Sequence, residues 1–155
     1  MSVIDVRDLT SALLQDDALG LAATMERLGG ASVALNFVAW KRAAMLQPTT
    51  AANVYVTPEG WQPEVRRQAD VREAVMQLRI GYESFQADAE LLEQELAIAA
   101  TALAQVLDGL RAYSDAHGGT VVDVIDPLQY AFGQFPGGTS AGFTVILSIE
   151  EQAQS

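Results

Sequence analysis

The chain has 155 residues, half of them hydrophobic and 19% charged, as in one globular domain and unlike a disordered chain. It contains no cysteine, so disulfides and thiolate metal sites are excluded. Its net charge of −11 argues against a nucleic-acid-binding protein, because such a protein needs cationic side chains that face the phosphates.

The first third of the chain predicts helices. The apolar face of a first short helix comprises Val6, Leu9, Leu13 and Leu14. Asp5 is its expected N-cap. A second helix, ended by Gly29-Gly30, has an apolar face of Leu21, Met25 and Leu28. Between residues 31 and 46 the periodicity fits either a strand or a helix, and we expect a helix.

Proline and glycine frame a short strand in the middle of the chain. Residues 52–57 precede Pro58-Glu59-Gly60, a turn signal that is expected to close the strand. Residues 61–70 then form the one long loop, of a length that is usually functional or mobile. The next strand spans 72–85, with a bend or bulge at Gly81 and a mostly wet face that includes Glu83. Its apolar face comprises Ala74, Met76, Leu78, Ile80 and Tyr82.

One continuous apolar stripe predicts a long helix from Asp88 to Tyr113. Its members recur three or four residues apart, as helical periodicity requires. Asp88 is the expected N-cap, and Gly118-Gly119 are the stop signal. The stripe comprises Leu92, Leu96, Ala99, Leu103, Val106 and Leu110.

The last third predicts strands. Residues 120–125 and 128–132 read as strand segments interrupted by Pro127, and a turn signal follows at 136–138. Residues 143–149 alternate again as a closing strand, and 151–155 read as a polar tail. We therefore expect one α+β domain over residues 1–150. Its long helix and N-terminal helices pack on a mostly antiparallel sheet.

No matched set of catalytic residues is evident. His117 lies two residues from Asp115, which resembles a base and its orienting carboxylate. Its place beside Gly118 favours a helix end, where an imidazole meets free carbonyl groups. Asp123 and Asp126 flank a strand break, but the ligand spacing of a calcium loop is absent. We expect no enzyme activity, no cofactor, and no catalytic, cofactor-binding or metal-binding residues.

Trp61, Arg66 and Arg67 are the candidate interface residues. Trp and Arg are enriched at interaction hot spots, and here they share the expected loop in an acidic protein. The alternative is that Trp61 folds back onto the sheet and that the arginines are ordinary surface charges. Neither the apolar runs nor the start of the chain has the pattern of a membrane span or a signal peptide, so we expect a soluble protein.

The order of these elements resembles the tail terminator family of long-tailed bacteriophages, including its Mu-like branch. The matching pieces are Gln47-Pro48 with residues 52–58, the strand at 74–85, the helix at 88–113, and the strands after Thr120. The resemblance covers residues 45–150 and rests on order and pattern. It implies a homohexameric ring at the head-proximal end of the tail tube, which stops tube polymerisation and joins the tail to the head.

The resemblance also implies binding partners and a location for the protein. They are the tail tube protein and head–tail connector proteins, in a virion subunit made in the host cytoplasm. DNA would pass through the lumen of the ring without specific binding. Alternatives are another neck component, such as a stopper or head-completion protein, and a small cytosolic ligand-binding module in which the loop at 61–70 closes over a ligand. An enzyme built on His117 and Asp115 is a further alternative.

Overall fold

The computed structural model describes residues 3–29, 34–38, 52–68, 71–118, 121–134 and 140–154. Within these ranges the elements are α1 (Val3–Leu14), α2 (Leu21–Gly29), β1 (Leu35–Val38), β2 (Ala52–Gln68), β3 (Val71–Ser84), α3 (Ala89–Asp108), α4 (Leu110–Ala116), β4 (Val121–Gln134) and β5 (Ala141–Gln154). The strands form one sheet in the order β1-β2-β3-β5-β4. β1 is parallel to β2, and every other neighbouring pair is antiparallel. The predicted α+β class, with a long helix on a mostly antiparallel sheet, is confirmed.

The two central strands supply the sheet side of the hydrophobic core. β3 buries Met76, Leu78, Ile80 and Tyr82, which confirms the predicted alternation. At the directly opposing positions, β5 buries Ile149, Leu147, Val145 and Phe143. Burial of an apolar side chain of this size contributes roughly 1.5–3 kcal/mol, so this paired ladder is a main source of stability.

α3 packs the C-terminal part of its predicted stripe into the same core, whereas Leu92 is only half-buried. Its C-terminal half buries Ala99, Ala102, Leu103, Val106 and Leu107. At the other end the Oδ1 atom of Asp88 accepts a hydrogen bond from the Leu91 amide at 3.0 Å, which confirms the predicted N-cap. This bond satisfies one of the amides that a helix start leaves without a partner.

The predicted single helix over 88–113 is wrong at one point, because the structure divides it at Gly109. This residue has φ −91° and ψ 0°, and its amide donates to the Val106 carbonyl oxygen at 3.0 Å. Glycine is a poor helix former, which favours a break here. α4 then continues to Ala116, and Gly118 has φ 72°, so the predicted glycine stop is confirmed at that residue.

The N-terminal helices are confirmed, with corrections at two residues. α1 buries Val6, Leu13 and Leu14, but it begins at Val3, so Asp5 lies in its first turn and is not the N-cap. α2 buries Leu21 and Met25 and ends at Gly29, whereas Leu28 is exposed.

The helix expected at 31–46 is contradicted where the structure describes it, because residues 35–38 form β1. β1 pairs in parallel with β2 from Leu35 opposite Ala52 to Val38 opposite Tyr55. Hydrogen bonds to a neighbouring strand are a tertiary contribution that local periodicity does not contain. The remaining residues of that prediction, apart from Ala34, lie outside the described ranges.

The loop expected at 61–70 is also wrong, because β2 continues through it to Gln68. The register shifts between Pro58 and Gly60 and again between Gln62 and Arg66. These irregularities accommodate Pro58 and Pro63, since proline is tolerated in a strand at a bulge. A loop that closes over a ligand, as in the binding-module alternative, is therefore absent from residues 61–68.

β4 and β5 are longer than expected. β4 runs through Pro127 as one strand whose register shifts between Ile125 and Gln129. β5 reaches Gln154 and so includes most of the expected polar tail. The irregularity expected at Gly81 is not found, since β3 pairs with β5 without a register shift from Val71 to Ser84.

Candidate functional site

The predicted interface residues lie on one ribbon formed by residues 60–68 of β2 and 71–77 of β3, here called the distal ribbon. In its ladder Trp61 is opposite Met76, Arg66 is opposite Glu73, and Arg67 is opposite Arg72. At about 3.3 Å per residue, the β2 part of the ribbon spans about 25 Å. Trp61 and Arg66 are five positions apart, so they share a ribbon and not a single cluster. The side-chain contacts of all three residues lie outside the described part of the structure.

His117 occupies the helix end that the sequence predicts for it. Its amide donates to the carbonyl oxygens of Tyr113 and Ser114 as the C-cap of α4. Its Nδ1 atom lies 2.8 Å from the Tyr113 carbonyl oxygen, and its ring stacks on the Tyr113 ring with centroids 4.0 Å apart. With Nδ1 donating to that carbonyl, Nε2 is the nitrogen left to meet a ligand.

A carboxylate distant in sequence, that of Asp16, lies near His117. Asp16 lies in the turn between α1 and α2, where its Oδ1 atom accepts hydrogen bonds from the Leu19 and Ala18 amides at 2.8 and 2.9 Å. These two bonds, and then the charge of His117, lower the pKa of Asp16 below its usual value. Asp115 is exposed. Because Asp16 and His117 lie far apart in the sequence, the sequence alone does not predict that they are neighbours.

A groove of about 480 Å³ lies beside His117, here called the helical groove. Its lining includes Leu13, Leu19, Arg27, Val106, Tyr113 and His117. Leu13 and Val106 are core residues, whereas Leu19 is 57% exposed at the rim. Grooves of this size that combine apolar walls with a few polar groups are typical binding sites.

Arg27 is the cationic group of the helical groove and is held by two hydrogen bonds. Its Nη1 atom donates to the Ala18 carbonyl oxygen at 3.1 Å, and its Nη2 atom donates to Thr24 Oγ1 at 2.9 Å. Both acceptors are neutral. By contrast, Arg79 forms an ion pair with Glu59 at 2.8 Å. The guanidinium of Arg27 is therefore oriented, with no carboxylate of the described residues in salt-bridge contact.

A polar network, buried at Asn53, Glu83 and Ser140, lies on the sheet face opposite the core. Asn36 Nδ2 donates to Asn53 Oδ1 at 3.0 Å, and Asn53 Nδ2 donates to Glu83 Oε1 at 3.1 Å. Ser140 Oγ donates to the other oxygen, Glu83 Oε2, at 2.7 Å. Glu83 is only 2% exposed, so its expected place on a wet face is wrong. The network joins β1, β2, β3 and the residue before β5.

Two buried tyrosines lie near carboxylates. Burial, and then the charge of Glu83, raises the pKa of Tyr55 well above its usual range. Burial, and then the adjacent Glu95, raises the pKa of Tyr82 in the same way. Tyr82 also stacks on Phe143, with ring centroids 5.5 Å apart. Both hydroxyls stay protonated at neutral pH, so they offer no anionic nucleophile or metal ligand.

Metal ligands do not converge in the described residues, where no three His, Asp or Glu side chains come together. The side chains of Asp123 and Asp126 lie outside the described part. None of the described helices has the length and apolar character that a membrane-crossing helix needs.

Comparison of the sequence with models of known protein families gives no match, and no curated protein is significantly similar. The resemblance to tail terminators therefore stays a prediction. Functional conclusions for this chain rest on its own residues: the distal ribbon, the helical groove and the distribution of charge.

Proposed function

We propose that the chain is a virion structural subunit, a tail terminator that forms a ring at the head-proximal end of the tail tube. In this role it stops tube polymerisation and joins the tail to the head, without catalysis. The observation that carries the proposal is the distal ribbon, which places Trp61, Arg66 and Arg67 on a long hairpin. Of the described residues, Val56 is the last core residue of β2. The part of β3 that pairs with the ribbon contains the core residue Met76 and also pairs with β5.

The distribution of charge supports contact between unlike surfaces. Residues 66–72 contain three arginines and one aspartate, a net charge of +2. Glu64 and Glu73 flank them, so residues 64–73 are neutral, whereas the rest of the chain carries −11. A basic tip that meets the acidic body of a neighbouring copy gives both attraction and orientation. Because the two surfaces differ, such a contact is head-to-tail and closes into a ring when the rotation allows it.

The same acidic charge suits a channel for DNA. A hexameric ring would contain six chains of net charge −11, and carboxylates that face the lumen would repel phosphates. DNA would then pass without adhering to the wall. Tight association of the assembled ring with duplex DNA that weakens steeply with salt would contradict this part of the proposal.

The direct test is the mass of the purified protein, measured by light scattering over a range of concentrations and followed by negative-stain imaging. A species near six times the 16.6 kDa of the chain, with ring-shaped particles, supports the proposal. A mass that stays at one chain up to the highest soluble concentration would overturn self-assembly.

The distal ribbon has its own test, the double substitution Arg66→Glu and Arg67→Glu. We expect the ring to dissociate while the circular dichroism spectrum of the monomer is retained. Arg111→Glu, at an exposed arginine of α4, is the control for added negative charge. A ring that survives the double substitution would contradict the assignment of the ribbon to the interface.

A further inference from the structure

The helical groove has the properties of a receptor for an apolar side chain that is accompanied by a carboxylate. Leu13 and Val106 form part of an apolar lining, and Leu19 extends it to the rim. Arg27 stands at this groove with its guanidinium oriented by the Ala18 carbonyl and the Thr24 hydroxyl. Both of these acceptors are neutral, so the positive charge remains available to an incoming anion.

A matching surface occurs on the same chain, at the start of α3. Leu91 is 51% exposed there, although it is a large apolar residue. The hydrogen bond from its amide to Asp88 Oδ1 and the bond from the Leu92 amide to the Asp88 carbonyl oxygen fix this turn. Asp88, Glu90 and Glu93 are exposed around it and give residues 88–93 a net charge of −3. The turn thus presents one apolar side chain among carboxylates.

One copy of the chain cannot join these two surfaces. The helical groove includes Gln105, Val106 and Gly109, which lie at the C-terminal end of the helix that Leu91 begins. At 1.5 Å per residue, the fourteen positions from Leu91 to Gln105 span about 21 Å along the helix axis. The Leu91 turn can therefore reach this groove only from another molecule.

We propose that the helical groove binds the first turn of α3 from a second copy of this chain, with Leu91 against the apolar lining and Glu90 against Arg27. This inference rests on the proposed self-assembly and names a contact that is separate from the distal ribbon. The charges match at Arg27, which receives a carboxylate of the anionic turn. The two surfaces lie at opposite ends of one helix, so the contact repeats head-to-tail around a ring.

Asp16 is the residue of the groove that an acidic partner must avoid. Its Oδ1 atom is bound by the Leu19 and Ala18 amides. The negative charge is thus partly neutralised within the chain itself. Glu90 of the incoming turn accordingly pairs with Arg27, which binds the carbonyl oxygen of the same Ala18 whose amide binds Asp16.

The first experiment is Leu91→Ala, with association measured by sedimentation velocity. Loss of an apolar side chain that becomes buried in the contact is expected to weaken association about tenfold. Leu28→Ala is the matched control, because Leu28 is 44% exposed on α2 and does not line the groove. Equal effects of the two substitutions would overturn the inference.

Charge reversal identifies the partner. Arg27→Glu and Glu90→Arg are each expected to abolish assembly, and the two together in one chain are expected to restore it. Arg27→Gln keeps amide donors for Thr24 and Ala18, so its weaker assembly separates loss of charge from misfolding.

If the wild type forms rings that none of these changes affects, the groove contact is wrong and the proposed function stands. If the wild type stays monomeric at every concentration, both fail.

Discussion

The aromatic ring of Tyr55 lies over Gly81, its partner in the β2–β3 ladder. A methyl group at residue 81 would come within 2.2 Å of the Cε2 and Cζ atoms of that ring. Tyr55 is completely buried, so its ring cannot simply move into solvent. The absence of a side chain at residue 81 is thus required by packing across the strands, and a bend in β3 is not the reason for this glycine.

We therefore expect Gly81→Ala to destabilise the protein by about 1–3 kcal/mol, the usual cost of forcing extra volume into a packed site. Urea unfolding of Gly81→Ala, Tyr55→Ala and the double variant measures the coupling between the two residues. In the double variant the methyl group no longer meets the ring, so the combined loss should be smaller than the sum of the single losses. Strict additivity would show that the contact does not control stability.

The buried tyrosines predict a loss of stability at alkaline pH. Burial raises the folded-state pKa of Tyr55 and Tyr82 above the ordinary value of 10.0. Folding therefore favours their neutral forms. The contribution of these two tyrosines to the free energy of unfolding is complete below about pH 10. It is lost as the pH rises above about 10, because their hydroxyls then ionise readily only in the unfolded chain. The chain has one lysine and no cysteine, so few other groups titrate in this range.

The expected loss is about 1 kcal/mol or more for each of these tyrosines at one pH unit above the ordinary pKa. Urea midpoints at increasing pH measure it, while absorbance near 295 nm reports tyrosinate. Tyr55 and Tyr82 are two of the four tyrosines, and their share of the absorbance change should appear together with unfolding, since they ionise when the protein unfolds. Complete tyrosine ionisation in a protein that is still folded would contradict the burial of these hydroxyls.

Removal of the Ser140 hydroxyl tests the buried polar network. Ser140→Ala deletes the 2.7 Å hydrogen bond to Glu83 and leaves one buried carboxylate oxygen without that donor. We expect a loss of about 1–3 kcal/mol in the free energy of unfolding, as for other buried polar groups that lose a partner. Ser11→Ala, in the less buried α1 position, is the comparison and should cost clearly less. Equal costs would indicate that the network is satisfied without Ser140.

Gly118 and Gly133 form a matched pair for backbone conformation. A methyl group would meet no atom within 4 Å at either position, but Gly118 alone of the two has a positive φ, 72°. Gly118→Ala is expected to cost about 1 kcal/mol, since L-residues are disfavoured in this region. Gly133→Ala should be neutral or slightly stabilising. A thermal denaturation series decides this, and equal melting temperatures for the two variants would contradict the observed φ.

The elements that could be predicted are those whose signal lies within one segment. The alternation in β3 and the stripe in α3 each repeat over several turns or pairs, and both are confirmed. β2 was divided wrongly because Pro58 and Pro63 look like turn residues, whereas bulges against β3 accommodate them. β1 was assigned wrongly because its four residues gain their structure from pairing with β2.

The candidate sites are harder to predict from the sequence than the fold is. The helical groove combines the turn after α1 with residues of α2, α3 and α4, and no local pattern connects Asp16 or Arg27 with His117. Glu83 looked like a surface residue because it alternates with apolar ones. Only the neighbouring Asn53 and Ser140 explain how a carboxylate is accommodated at that buried position.

The position of β5 between β3 and β4 has a consequence during synthesis. In the described sheet β4 pairs only with β5, which is translated later. At about 5–20 residues per second, the nascent chain therefore holds β4 without a partner for roughly one to several seconds. Unpaired strands recruit other chains, and charge and proline are the usual protection against it. Asp123, Asp126 and Pro127 lie in this strand, and residues of these kinds are the ones that disfavour pairing with other chains before β5 is in place.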